Sequence, residues 1–323
     1  MTEGWSTDPA QRHAGASGGG LSALLTHLLE SGRVAAALVT GPHPEIPWRT
    51  APRLVTDPAD LAATAGSRYA ASAPLSALPQ ALALGAPVAF GGKPCDAAAL
   101  WALAAADPAV TRAVPITLSF FCAGVPSEAG ACALLDAMDA APEAVTGFRY
   151  RGQGWPGRAV ARLRDGSERS MSYAESWGAV LSKHLQHRCK ICADGTGWAA
   201  DIACADPWES DAEGYPVFDE APGRSLFVAR TPLGEEILAE ARDAGRIETR
   251  PFDPATLVAL QPGQRERRRA VLARLLALRL IGRPRPRYQG MRLGAAARQN
   301  PLRRNLRNCL GKIRRSHLRP PPP

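Results

Sequence analysis

The chain has 323 residues and a formal charge of +9, long enough for one to three domains and a full apolar core. A hydrophobic fraction of 46% excludes a chain that is mostly disordered or collagen-like. The charge is uneven: residues 265–323 hold 18 Lys/Arg and one acid, Glu266, for a local +17, and residues 1–264 stand at −8.

No apolar run reaches the roughly 18 residues of a membrane-spanning helix. Met1 to Gly20 lacks the apolar stretch of a signal peptide, so a cytoplasmic protein is expected. Seven cysteines fall at 95, 122, 132, 189, 192, 204 and 309. Their odd number, in a long chain without an export signal, points to metal or redox use rather than disulfides. Cys132 sits in an Ala/Leu helix pattern and Cys309 in the basic tail, and both read as ordinary residues.

In chain order, Ser17 and the glycines after it lead into a helix ended by Gly32, then a short strand runs from Val34 to Thr40. Loops rich in Pro and Asp fill 41–60. A strand–loop–helix pattern then occurs twice. Val88-Ala89-Phe90 leads through Cys95 to a helix capped by Asp96, and Ile116 to Phe121 leads through Cys122 to a helix capped by Ser127. This pattern predicts a mixed α/β fold: a central sheet with flanking helices and ligand-binding loops at the strand ends. Beyond it come an extended Phe148 to Arg151 and a turn-rich loop from Gly152 to Gly157. A hairpin follows around Asp165-Gly166, then a helix from Ala174 to about Leu185. Ser225 to Ala229 reads as a strand followed by a helix, and 265–281 as an Arg-rich amphipathic helix. Three segments result: 1–145, 146–264 and a basic helical arm at 265–323 whose last prolines are expected to be disordered.

Cys189-Lys-Ile-Cys192 is the sharpest local feature, since two thiolates three residues apart can serve one metal centre. A thioredoxin-like pair would open a helix after a strand, whereas this one follows a predicted helix. Zinc could draw on His184 and His187, although four nearly contiguous ligands close a tetrahedron awkwardly. An iron–sulfur cluster needs four thiolates, and Cys95 and Cys122 at neighbouring strand ends would supply the other two, unless they are simply buried thiols. Ser17, Gly18 and Gly19 before a helix suit an anion. Arg68, Tyr69 and Lys93 are further candidates beside a cofactor, and Gly152 and Trp155 could shape its cavity. Asp194, Asp201 and Asp206 read as turn formers. No hydrolase-like acid–base pair is visible.

Five ordered segments resemble the coenzyme F420 hydrogenase/dehydrogenase beta-subunit family. They are Ala16-Ser-Gly-Gly19, Gly92-Lys-Pro-Cys-Asp96, Phe120-Phe-Cys-Ala-Gly-Val-Pro-Ser127, Phe148-Arg-Tyr-Arg-Gly-Gln-Gly-Trp-Pro-Gly157 and the stretch from Arg188 to Trp208. The resemblance implies an iron–sulfur flavoprotein with FAD and a [4Fe–4S] cluster, serving a small-molecule substrate. Electrons would come from a ferredoxin-like donor or a partner redox subunit. Carried over by residue, Cys95, Cys122, Cys189 and Cys192 are the implied cluster ligands, with Cys204 in reserve. Many members carry a cysteine-rich segment before the Ser-Gly-Gly motif. No cysteine precedes Cys95 here, so either the start is truncated or one cluster is used.

The alternative is a zinc-binding, non-enzymatic nucleic-acid or scaffold protein. The tail has the charge for phosphates but only Tyr288 to stack on bases. The tail is expected to lie outside the redox core and to dock an acidic donor or an anionic membrane surface.

Overall fold

The computed structural model describes residues 1–209, 211 and 217–317. It is a mixed α/β structure built on an eight-stranded sheet. The middle of the sheet is parallel: β2 (Ala36–Pro42), β4 (Val88–Gly92), β5 (Ile116–Phe120) and β9 (Ile202–Ala205) lie side by side. Antiparallel strands flank it: β3 (Thr50–Val55) on one side, and β10 (Ser225–Ala229), β1 (Thr2–Ser6) and β11 (Ile247–Pro251) on the other. The chain start thus pairs with residues beyond 220, and segments 1–145 and 146–264 share one sheet. A separate antiparallel sheet holds β6 (Val145–Arg149), β7 (Arg158–Leu163) and β8 (Glu168–Ser172).

The parallel strands read as continuous apolar runs because both their faces are covered. Ala37 and Val39 of β2 pack with Leu24 and Leu28 of helix α1 (Gly20–Glu30). The alternate residues Ala36 and Leu38 pack on the other face, with Leu100 of α2 (Pro94–Ala106). Leu24, Leu28, Leu38, Phe90 and Leu118 are fully buried, each such side chain contributing about 1.5–3 kcal/mol over an exposed one. Helices α3 (Glu128–Ala137) and α4 (Pro232–Asp243) also belong to the body, with several shorter helices. The C-terminal arm holds α5 (Pro262–Leu280), α6 (Leu293–Arg298) and α7 (Leu302–His317).

Four strands were not foreseen. β3 and β11 are edge strands that include Pro52 and Pro251, tolerated only where a ladder N–H is dispensable; β1 has little apolar character, and β9 is four residues long inside a turn-rich motif. Asp96 does not cap α2: Pro94 takes the first helical position, Lys93 is the cap, and Asp96 pairs with Lys93 at 2.6 Å. The helix expected from Ala174 is wound wide over Ala174–Val180 and tight over Leu181–His184. There the Ser176 and Ser182 hydroxyls donate to the Ser172 and Gly178 carbonyls, four residues back, competing with the helix ladder.

The largest correction concerns the arm. It does not lie outside the core: Val271, Leu275 and Leu278 of α5 are buried against Ile191 and Ala193, the residues within and just after the Cys-x-x-Cys pair. A boundary after 264 would also cut α5 in its first turn. The terminal prolines, 320–323, lie outside the described residues.

Candidate redox site

Four of the cysteines gather beyond the carboxyl ends of the parallel strands, the usual ligand-binding edge of such sheets. Cys95 stands in the first turn of α2, straight after β4, and Cys122 two residues beyond β5. The two strands are hydrogen-bonded neighbours, with Gly92 opposite Ser119. The Cys189–Cys192 loop closes on them: the Cys189 sulfur accepts the Val125 N–H at 3.3 Å, and the Cys122 N–H donates to the Gly195 carbonyl at 2.9 Å. The Cys192 thiol donates to the Asp194 carbonyl at 2.9 Å.

The thiols feel one another. Burial pushes Cys95 up to about 11, with Asp96 and Cys192 adding and Lys93 and Arg188 opposing. Burial pushes Cys122 up to about 12, opposed by Arg267 and reinforced by Cys189 and Cys95. Cys192 is raised by burial against the pull of Arg267. Three segments therefore aim a cation at a shared thiol neighbourhood. Among the described residues, no group of three or more His, Cys, Asp or Glu closes on a single metal ion. Cys204 is elsewhere, buried among the apolar residues of the sheet, where desolvation raises it to about 12. The zinc candidates diverge: His184 packs across Gly130 of α3, and the His187 ring meets Lys312 of α7.

Arg267 escaped the sequence reading, and Tyr288 was weighed there only for stacking on bases. The Arg267 guanidinium donates to the Cys122 and Ala123 carbonyls, both at 2.6 Å. It reaches them across Gly195, where a Cβ would stand 2.3 Å from the guanidinium. Tyr288 donates to the Ile191 carbonyl at 3.1 Å, and Arg274 to the Lys190 carbonyl at 2.6 Å. The apolar stripe of α5 was the available signal: an amphipathic helix needs a surface to cover.

A second group surrounds Arg151. Its guanidinium forks onto Asp206 at 2.7 and 2.9 Å and lies over the rings of Tyr173 and Trp208. Burial is the largest influence and lowers its proton affinity, but the charge and hydrogen bond of Asp206 together with Tyr69 and Tyr173 outweigh it and hold the group above its ordinary value. The indole of Trp155 also donates to Asp206, and its ring stacks on Trp208 at 4.9 Å. Trp155 is thus engaged within the protein. Asp206 binds side chains, whereas Asp194 accepts the Thr196 and Trp198 N–H groups and Asp201 the Thr117 N–H.

Beside this group is a cleft of about 180 Å³, lined by Arg68, Arg149, Tyr150, Arg151 and Gln153 among others. Arg68 and Arg149 each keep a buried Nε with no partner. Burial lowers both, Arg68 to about 10. Two desolvated cations with free donors make the cleft receptive to an anion. Tyr69 lies edge-on to Tyr150 and tilted on Trp177. Gly152 brings its backbone close to the Ala14 carbonyl. Lys93 is held by Asp96 and the Ser72 hydroxyl. Ser17, Gly18 and Gly19 form a tight junction. Both glycines have positive φ and touch backbone, of Arg224 and Gln11 respectively, while the Gly20 N–H at the start of α1 donates to the Ser225 hydroxyl at 3.2 Å.

No curated protein sequence matches the chain. Among solved structures it is similar to a chain of the xenon-derivatised F420-reducing [NiFe] hydrogenase complex from Methanosarcina barkeri. The two are 23% identical with a TM-score of 0.65, over 85% of this chain and 91% of that one, a likeness of fold. Two family models, for the N-terminal and the C-terminal part of the beta subunit of coenzyme F420 hydrogenase/dehydrogenase, match residues 1–79 and 85–255. Those matches span the sheet and every cysteine loop, and the chain belongs to the coenzyme F420 hydrogenase/dehydrogenase beta-subunit family.

Proposed function

We propose that this protein is an iron–sulfur flavoprotein oxidoreductase, passing electrons between a one-electron donor and a two-electron small-molecule substrate. The observation that carries it is the gathering of Cys95, Cys122, Cys189 and Cys192 at one sheet edge, under Lys93, Arg188 and Arg267. Four thiols that share a neighbourhood without closing on one point suit a [4Fe–4S] cluster, whose ligands spread wider than those of a single ion. Arg68 and Arg149, each with a buried Nε that has no partner, fit the phosphates of FAD. The cleft itself matches the diphosphate part more than the whole molecule. When bound, the cluster supplies one-electron chemistry and the flavin two-electron chemistry.

The chain's own residues hold, orient and shield. Lys93, Arg188 and Arg267 offset the negative charge of four thiolates in a half-buried site. Arg267 and Tyr288 pin the carbonyls of the ligand loops, and α5 covers those loops from water. Trp101 of α2 and Trp198, six residues after Cys192, are 58% and 48% exposed with ring centroids 6.1 Å apart. Such aromatic pairs anchor protein interfaces, so we place the docking of a ferredoxin-like donor or partner redox subunit there. Trp101→Ala is expected to raise the KM for reduced ferredoxin; an unchanged KM removes this docking site.

Anaerobic purification followed by iron, sulfide and flavin assays tests the whole reading. Iron and sulfide in equal amounts, with FAD released on denaturation, are expected. A colourless protein carrying zinc and no flavin overturns the proposal in favour of the metal-scaffold alternative.

A further inference from the structure

Helix α7 turns its leucines away from the protein. Leu302, Leu306 and Leu310 are 75%, 55% and 65% exposed, whereas Lys312 and Ser316 are buried. Asn305, also inward, donates to the Ala297 carbonyl at 2.9 Å. Polar residues therefore attach α7 to the arm, and among the described residues nothing covers its apolar edge. At roughly 100° per residue the three leucines span about 80° of the helix, and Arg303, Arg314 and Arg307 fill about the next 40°. The adjoining α5 exposes Leu272, Leu276 and Leu280. No acid follows Glu266 in the sequence.

We propose that the outer edge of α7 docks on an anionic lipid bilayer, with Leu302, Leu306 and Leu310 in the headgroup–acyl boundary and Arg303, Arg307 and Arg314 at the lipid phosphates. Leucines beside a cationic wedge are the pattern of helices that lie in a membrane interface, and anionic lipid supplies the charge that the arm lacks. A second copy of the chain would bring the same positive charge, which opposes self-association. Protein interfaces favour Trp and Tyr anchors and under-use Leu; here the exposed tryptophans are on the body and the described part of α7 carries no Trp, Tyr or Phe. Among the described residues no helix is long and apolar enough to cross a membrane, so the contact is peripheral.

The test is co-sedimentation of the full-length protein with vesicles of phosphatidylcholine alone or mixed equally with phosphatidylglycerol. The protein should pellet with the mixed vesicles at low salt and stay in solution with phosphatidylcholine alone. Replacing Leu302, Leu306 and Leu310 together by Ser keeps every charge and should weaken binding by about tenfold or more. Arg303, Arg307 and Arg314 replaced together by Gln should weaken it likewise and flatten its salt dependence. Leu302→Ser alone, at the most exposed position, serves if the triple variant does not fold. Equal partition into both vesicle types, or full binding by the leucine variants, overturns the proposal. A protein that ignores both vesicles but binds polyglutamate overturns it in favour of an acidic protein partner.

Discussion

In the sheet body, Leu24, Leu28, Phe90 and Leu118 are fully buried between strands and helices, and strand pairing satisfies the backbone. In the arm, guanidinium groups take over much of that task. Arg267, Arg268, Arg274 and Arg283 each donate to a main-chain carbonyl, of Cys122, Met291, Lys190 and Ser316. The difference teaches that the arm is less an extension of the core than a clamp. It ties cysteine loops from separate parts of the body to one basic helix. Damage in the body should therefore appear as lost stability, and damage in the arm as altered properties of the site it closes.

The widest separation of these effects comes from the cysteine loops. Cys189→Ser should bleach the visible absorption of the cluster and strip its iron, while leaving the urea-unfolding midpoint of the apoprotein close to that of the parent. A retained, unaltered spectrum would show that Cys189 is not a ligand. The body counterpart is Asp206→Asn, which leaves Arg151 buried without its charge partner. Loss of one member of a buried pair costs about 3–5 kcal/mol. The lower end is expected here, because Asn still accepts a hydrogen bond. Urea unfolding should register that loss, with iron per folded molecule unchanged.

The arm itself is probed at Arg267. Removing a cation beside cluster thiolates disfavours the reduced, more negative state. Arg267→Gln should thus lower the cluster's reduction potential, by about 59 mV for a tenfold change in a one-electron equilibrium. Arg267→Lys should recover much of it. Gly195→Ala should act in the same direction as Gln, since the added Cβ displaces the guanidinium. A redox titration followed by electron paramagnetic resonance reads all three. Identical potentials for Gln and Lys would mean that the side chain acts only by bracing the loops.

How much of this was legible depended on the range of the signal. The β4, β5 and β10 strands, the hairpin at Asp165-Gly166 and the helix at 232–243 announce themselves in short runs. The neighbouring placement of Cys95 and Cys122 follows from two copies of one strand–loop–helix pattern. What stayed hidden is held together over long separations. β1 is a strand because residues 225–227 and 247–251 pair with it. Arg267 reaches Cys122 across 145 positions, and Arg151 reaches Asp206 across 55. Ser17-Gly18-Gly19 has the local form of an anion cradle, and only the tertiary structure shows the backbone of Arg224 and Gln11 packed against its two glycines. Net charge misled in a different way: it described the arm's composition correctly but could not show that Val271, Leu275 and Leu278 face inward, onto the cysteine loop.

The smallest effect expected is a pH dependence confined to the arm. Burial of Lys312, with Arg315, Arg274, Arg283 and Lys190 adding repulsion, lowers its pKa from 10.5 to about 8; the His187 ring is its contact on the body side. Below pH 8 the lysine is charged in both folded and unfolded chains, and its contribution is flat. Between about 8 and 10.5 the unfolded chain still holds the proton and the folded chain has released it, so stability rises with pH. The raised thiols Cys95, Cys122 and Cys204 pull the other way over this range, so the readout is the difference between parent and Lys312→Met: urea unfolding at pH 7.5 and 9.5 should show the parent gaining on the variant at the higher pH. The gain should be well below the Asp206 effect, because α7 lies at the rim of the molecule. A parent–variant difference that is the same at both pH values would place the titrating group elsewhere.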